Sequence, residues 1–132
     1  MKVMWIDDDP YNLESSKELL ELYGMNIQFF TNYETALERL REKDSKYDII
    51  IMDIMMPPQN FFNVEETDDG RRTGILLIPE IRKIYSGPIL LYSVLRNTKL
   101  IDNVLYNDSK IDYLRKPERI ENIISKIKLL TQ

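Results

Sequence analysis

Residues 47–57 read YDIIIMDIMMP, and this stretch decides the fold. The run up to Met52 is apolar without alternation, the pattern of a central parallel strand covered on both faces. An acid, Asp53, follows at once. Working outward, three further polar signals come after short apolar runs: Asp7-Asp8 after VMWI, Ser93 after ILLY, and Lys116 shortly after Tyr113-Leu114. If these runs are parallel strands, all four signals emerge at one edge of one sheet. In open parallel sheets that carboxyl edge is where ligands bind, because the loops leaving it converge there. Carboxylates, a hydroxyl and an ammonium gathered at such an edge suit a divalent cation and a phosphoryl group.

The segments between these runs have helical period. Lys2 to Ile6 reads as the first strand and Pro10 to Tyr23 as a helix with Leu13, Leu19, Leu20 and Leu22 on its buried side, ended by Gly24. Asn26 to Phe30 is the second strand. Tyr33 to Arg41 is a helix carrying Ala36, Leu37 and Leu40, with Thr31 or Asn32 as N-cap. Tyr47 to Met52 is the third strand. Ile75 to Tyr85 is a helix that must start late or kink at Pro79. Pro88 to Tyr92, Thr98 to Tyr106, Ile111 to Leu114 and Arg119 to Leu130 complete a (βα) unit repeated five times. Such crossovers give a parallel sheet with helices on both faces.

At 132 residues, 43% hydrophobic and 30% charged, the chain has the length and balance of one soluble globular domain. It has neither cysteine nor histidine, so no disulfide, thiolate metal site, imidazole base or self-made phosphohistidine is available, and a hard, oxygen-liking cation remains. A net charge of −4 without a basic cluster argues against direct nucleic-acid binding. MKVMWIDDDP lacks the apolar core of a signal peptide and no stretch reaches membrane-spanning length, so a cytoplasmic location without membrane contact is expected.

The acidic pair Asp7-Asp8, D-x-x-M-P from Asp53 to Pro57, Ser93, and Y-x-x-K-P from Tyr113 to Pro117 together resemble the receiver domain of two-component response regulators, across nearly the whole chain. Alone, each is weak: acids at a helix start, a solvated lysine and a strand tyrosine are common. In order, at this spacing, they are specific. The resemblance implies a flavodoxin-like doubly wound sheet of order 2-1-3-4-5. It also implies that Asp53 takes a phosphoryl group from a sensor histidine kinase or a histidine phosphotransfer protein, as a signalling domain and not a conventional enzyme. By the same resemblance Mg²⁺, or Mn²⁺ in its place, is held by Asp8, Asp53 and the main-chain carbonyl of Met55, with Asp7 acting through water. Lys116 and Ser93 receive phosphoryl oxygens, the Lys116-Pro117 bond is cis, and Ser93 with Tyr113 forms the switch. Output then passes to a downstream protein partner, and the face of the fourth helix, fifth strand and fifth helix is a candidate for homodimerisation. Asp9 is expected to be a helix N-terminal acid.

Several positions depart from the pattern. Residues 58–73 form an insertion at the rim, read either as a solvated loop or as a lid or docking surface. Phe61-Phe62 are expected to pack on the domain or a partner, Asp68-Asp69-Gly70 to form a turn, and Arg71 and Arg72 to reach the acidic cluster or the phosphoryl oxygens. Val94 stands where a small residue is usual and is expected to narrow access. Met55 and Leu95 cannot hydrogen-bond water through their side chains, so a long-lived phosphoryl state is expected. Two other functions fit less well. A phosphate-independent interaction domain would not need the Asp8, Asp53, Ser93 and Lys116 set, and an aspartyl-phosphate phosphohydrolase favours an acid where Met55 stands.

Overall fold

The computed structural model describes residues 1–58, 62–96 and 98–132. The strands are β1 (Lys2–Ile6), β2 (Asn26–Phe30), β3 (Ile49–Met52), β4 (Ile89–Ser93) and β5 (Ile111–Arg115), and the helices α1 (Glu14–Leu22), α2 (Tyr33–Arg41), α3 (Thr73–Arg82), α4 (Thr98–Asn107) and α5 (Ile120–Leu130). All pairings are parallel, in the order β2-β1-β3-β4-β5. This is the flavodoxin-like arrangement implied by the resemblance.

Every position of β3 and β4 is buried, which is why these two runs carry no alternation. Their side chains divide by parity between two cores. Met4, Ile6, Ile50, Met52 and Leu91 pack with the buried residues of α2 and α3. Val3, Trp5, Ile51, Leu90 and Tyr92 pack with Leu20 of α1 and with Ile123, Ile124 and Ile127 of α5. The register aligns the strand ends: Ile6 lies beside Met52, Met52 beside Leu91, and Ser93 beside Arg115. The residues that follow these ends therefore share one rim.

Helix termini follow local chemistry. Asn32 caps α2 by accepting the Thr35 N–H at 2.8 Å. Gly24, at φ 85°, closes α1 with its N–H on the Glu21 carbonyl. The first helix differs from expectation. Pro10–Leu13 is a 3₁₀ turn, and although Leu13 and Leu20 are buried, Leu19 is 41% and Leu22 82% exposed. At 100° per residue Leu20 and Leu22 diverge by about 200°, so one helix cannot turn both to the sheet. Helix α3 starts at Thr73, two residues earlier than the apolar pattern suggested, and runs through Pro79.

Within the 58–73 stretch, Phe62 packs on the core and lies 5.8 Å from the ring of buried Tyr33. Phe61 lies outside the described residues. Asp68, Asp69 and Gly70 form the expected turn, each with positive φ.

Candidate functional site

The end of β1 delivers Asp7 to the rim. Its N–H donates to the Phe30 carbonyl at 3.0 Å, which ties the strand end to β2. The carboxylate is 1% exposed; one oxygen accepts the Asp9 N–H at 2.8 Å and the other faces Lys116. Asp8, next in sequence, is turned outward and exposed. Asp53 is held from β3 by its N–H on the Ile6 carbonyl at 3.0 Å, and its Oδ1 accepts the Met55 N–H at 3.0 Å.

Lys116 arrives from β5. Its N–H donates to the Ser93 carbonyl at 2.9 Å, and the Lys116-Pro117 bond is cis as expected. The ammonium donates to Asp7 at 2.6 Å and to Asp53 at 2.9 Å, and stands 5.6 Å from the Tyr92 ring. Burial pulls its pKa down, but the bond to Asp7 and the charge of Asp53 outweigh this, and the net direction is upward. Burial raises the pKa of Asp7 despite Lys116, and burial followed by the charge of Asp53 raises that of Asp8. Close carboxylates at this rim thus strain against one another.

Asp7, Asp8 and Asp53 each offer an oxygen within 4.8 Å of the others, a spacing that can hold a metal ion. The donors are all carboxylate, with no imidazole or thiolate in the chain, so the set fits a hard cation.

Ser93 is fully buried, and among the described residues its Oγ receives a long 3.4 Å bond from the Leu95 N–H. The described residues show no hydrogen bond between Ser93 and Asp53. Tyr113 donates its hydroxyl to the Leu95 carbonyl at 2.5 Å, joining β5 to the segment that leaves Ser93. Val94 is 51% exposed and lines, with Asp9, Asn12, Ser16 and Lys116, a cavity of about 440 Å³ beside the site. Asp9 accepts the Asn12 amide and caps the 3₁₀ turn without a side-chain bond to its backbone. Arg71 is paired with Asp68 at 3.8 Å, and Arg72 stands exposed at the N-cap of α3.

Three further residues support this geometry. Thr73 is buried and donates to the Met56 carbonyl. Gly74 lies against the Asp53 backbone so closely that a Cβ there would be 2.6 Å from Ile54 Cα. The Tyr92 hydroxyl accepts the Glu118 N–H at 3.1 Å and so fixes the loop after Lys116. The Thr-Gly pair that opens α3 is the sequence signal for the first two.

A family model described as the response regulator receiver domain matches residues 3–128. The chain belongs to that family. As a receiver it is a signalling domain and not a classical enzyme, and its acidic cluster is consistent with a phosphoaspartate site. Among curated relatives, the transcriptional regulatory protein CpxR homolog of Haemophilus influenzae is 30% identical over 130 residues, 98% of this chain and 49% of that protein. CpxR of Klebsiella pneumoniae is 28% identical over 130 residues, 98% of this chain and 48% of that protein. The receiver thus spans about half the length of these relatives. Among solved structures, a two-component response regulator from Clostridium difficile superposes with a TM-score of 0.77 at 28% identity, covering 98% of this chain and 94% of that one. No helix among the described residues is long and apolar enough to cross a membrane.

Proposed function

We propose that this receiver accepts a phosphoryl group on Asp53 from a phosphohistidine of a sensor histidine kinase or histidine phosphotransfer protein. The observation that carries the reading is the single ammonium of Lys116 bridging Asp7 and Asp53, with Asp8 completing a carboxylate set that can hold a metal. An Asp53 oxygen attacks phosphorus, the phosphorus–nitrogen bond of the donor breaks, and its electron pair returns to the donor imidazole. The reaction asks for positioning and for neutralisation of the phosphoryl oxygens more than for proton transfer, so a site without histidine suffices. Mg²⁺, or Mn²⁺ in its place, would be held by Asp8, Asp53 and the Met55 carbonyl, with Asp7 through water, and supplies charge neutralisation when bound.

Lys116 then holds one phosphoryl oxygen and the Ser93 hydroxyl another. Movement of Ser93 toward the phosphoryl group draws on the Leu95 segment, to which Tyr113 is already tied, so the charge event reaches α4 and β5. The output is delivered to a downstream protein partner, with homodimerisation through α4, β5 and α5 as one form of it. We read residues 1–132 as one receiver domain with an insertion at 58–73, acting in the cytoplasm without direct contact to nucleic acid or membrane.

Incubation with acetyl phosphate and Mg²⁺ tests the reading by intact mass. One added phosphoryl group is expected, dependent on the metal and absent in Asp53→Ala. An unmodified wild-type protein that nonetheless binds Mg²⁺ would overturn it in favour of a phosphate-independent interaction domain.

A further inference from the structure

The segment from Phe62 to Thr73 is organised by its own contacts. Asn63 and Glu66 exchange reciprocal bonds, each side chain accepting the other's backbone N–H, at 3.1 and 2.6 Å. Thr67 is fully buried, shares its proton between the Asn63 and Val64 carbonyls at 3.1 Å, and accepts the Gly70 N–H at 3.1 Å. The chain then takes φ values of 52° at Asp68, 56° at Asp69 and 86° at Gly70. Left-handed backbone at two successive non-glycine residues is uncommon, and aspartate is among the side chains that adopt it most readily.

The consequence of this turn is where it puts Arg71. The Gly70 carbonyl accepts the Met56 N–H at 3.0 Å, and the Thr73 hydroxyl donates to the Met56 carbonyl, so the chain on both sides of Arg71 is pinned to Met56, through Gly70 backbone and the Thr73 side chain. The side chain itself is loosely held. Its ion pair with Asp68, at 3.8 Å, joins two side chains that are each 61% exposed, and a pair of that kind is weak. Arg71 walls a cavity of about 360 Å³ together with Met55, Met56 and Pro57. The N–H of Met55 is the group that binds Asp53.

We propose that Arg71 is a phosphoryl-binding residue: when Asp53 carries a phosphoryl group, the guanidinium leaves Asp68 and takes a phosphoryl oxygen from the 62–73 side, while Lys116 approaches from β5. The inference rests on Asp53 being the phosphoacceptor. A guanidinium fork suits the added oxygens of a phosphoryl group better than the single oxygen of a solvated carboxylate. Asp68 is the resting partner and competes with the phosphoryl group for the same cation. Arg71 makes and breaks no covalent bond.

The test is the affinity of the intact protein for beryllofluoride with Mg²⁺, a mimic of the phosphoryl group, followed by calorimetry or by the fluorescence of Trp5, the only tryptophan. Arg71→Ala should bind roughly fivefold more weakly at low ionic strength, with the difference fading near about 0.5 M salt as charges are screened. Arg71→Lys should recover part of the loss. Asp68→Asn, which tolerates the left-handed backbone, should bind about twofold more tightly because the competing charge is gone. A purely structural role for the turn would move Arg71→Ala and Asp68→Asn in the same direction and would show no salt dependence, and either result overturns the proposal. Equal affinity of Arg71→Ala and wild type at low salt overturns it alone. Wild-type protein that ignores beryllofluoride, or Asp53→Ala that binds it equally, overturns the phosphoacceptor reading and Arg71 with it.

Discussion

Lys116 serves two acids at once, and one of them, Asp7, has almost no access to water. Its folded pKa is raised above the ordinary 10.5, so its contribution to stability is complete below that value and is lost as pH rises through the folded one. Asp7 and Asp8 are also raised, above 3.8, chiefly by burial. A raised carboxyl pKa means that the folded state binds the proton more tightly than the unfolded chain does. What these two sites add is therefore greatest below pH 3.8 and is lost as pH climbs through their folded values. At neutral pH the ion-free site leans on Lys116. Lys116→Met should destabilise the protein by about 2 kcal/mol at pH 7, less than the full effect of orphaning a buried charge because the lysine side chain is 18% exposed. The deficit should shrink in acid, where Asp7 takes a proton. Urea unfolding at neutral and acidic pH measures both, and a variant as stable as wild type at pH 7 would contradict the assigned role.

At the scale of elements, α3 is positioned by a glycine. A methyl group on Gly74 would press into the Asp53 carbonyl and stand 2.6 Å from Ile54 Cα, and both obstacles are backbone. Gly74→Ala should cost about 2–3 kcal/mol and displace Asp53, lowering phosphorylation beyond what stability explains. Gly24→Ala is the control: at φ 85° with open space around its Cβ, it should cost only about 1 kcal/mol and leave phosphorylation unchanged. Comparing unfolding midpoints with phosphorylation rates separates the two, and equal rates in Gly74→Ala and Gly24→Ala would remove the special role of Gly74. The same elements show what a sequence discloses. The unbroken apolar runs of β3 and β4 gave away their burial, and with it the acid that follows Met52. Leu19 and Leu22 misled because leucine signals an apolar face without saying how wide a face the sheet can cover. The early start of α3 was hidden because Thr73 and Gly74 carry no helical period, and are buried for close approach and for a hydroxyl bond to Met56. The order of the strands came from the resemblance, since period alone does not place β1 between β2 and β3.

For the molecule as a whole, the rim is a charge imbalance built into a stable frame. The chain carries a net charge of −4, and three of its carboxylates converge where β1 and β3 end, against one ammonium. A site arranged for a cation is strained without one, as functional sites commonly are. Asp8→Asn relieves like-charge repulsion, so the ion-free variant should be more stable than wild type. The gain should be no more than about 1 kcal/mol, because Asp8 is exposed and water screens it. The same change removes a ligand. Wild-type protein should gain about 2.7 kcal/mol at a Mg²⁺ concentration one hundred times the dissociation constant. For a chain of 132 residues that is a rise in Tm of about 10 °C. Asp8→Asn should start higher and rise far less. Thermal unfolding with and without Mg²⁺ therefore yields two curves that cross. Parallel curves would remove Asp8 as a ligand, equal starting points would remove the repulsion, and a wild-type protein that does not respond to Mg²⁺ would cost the acidic cluster its claim to be the metal site.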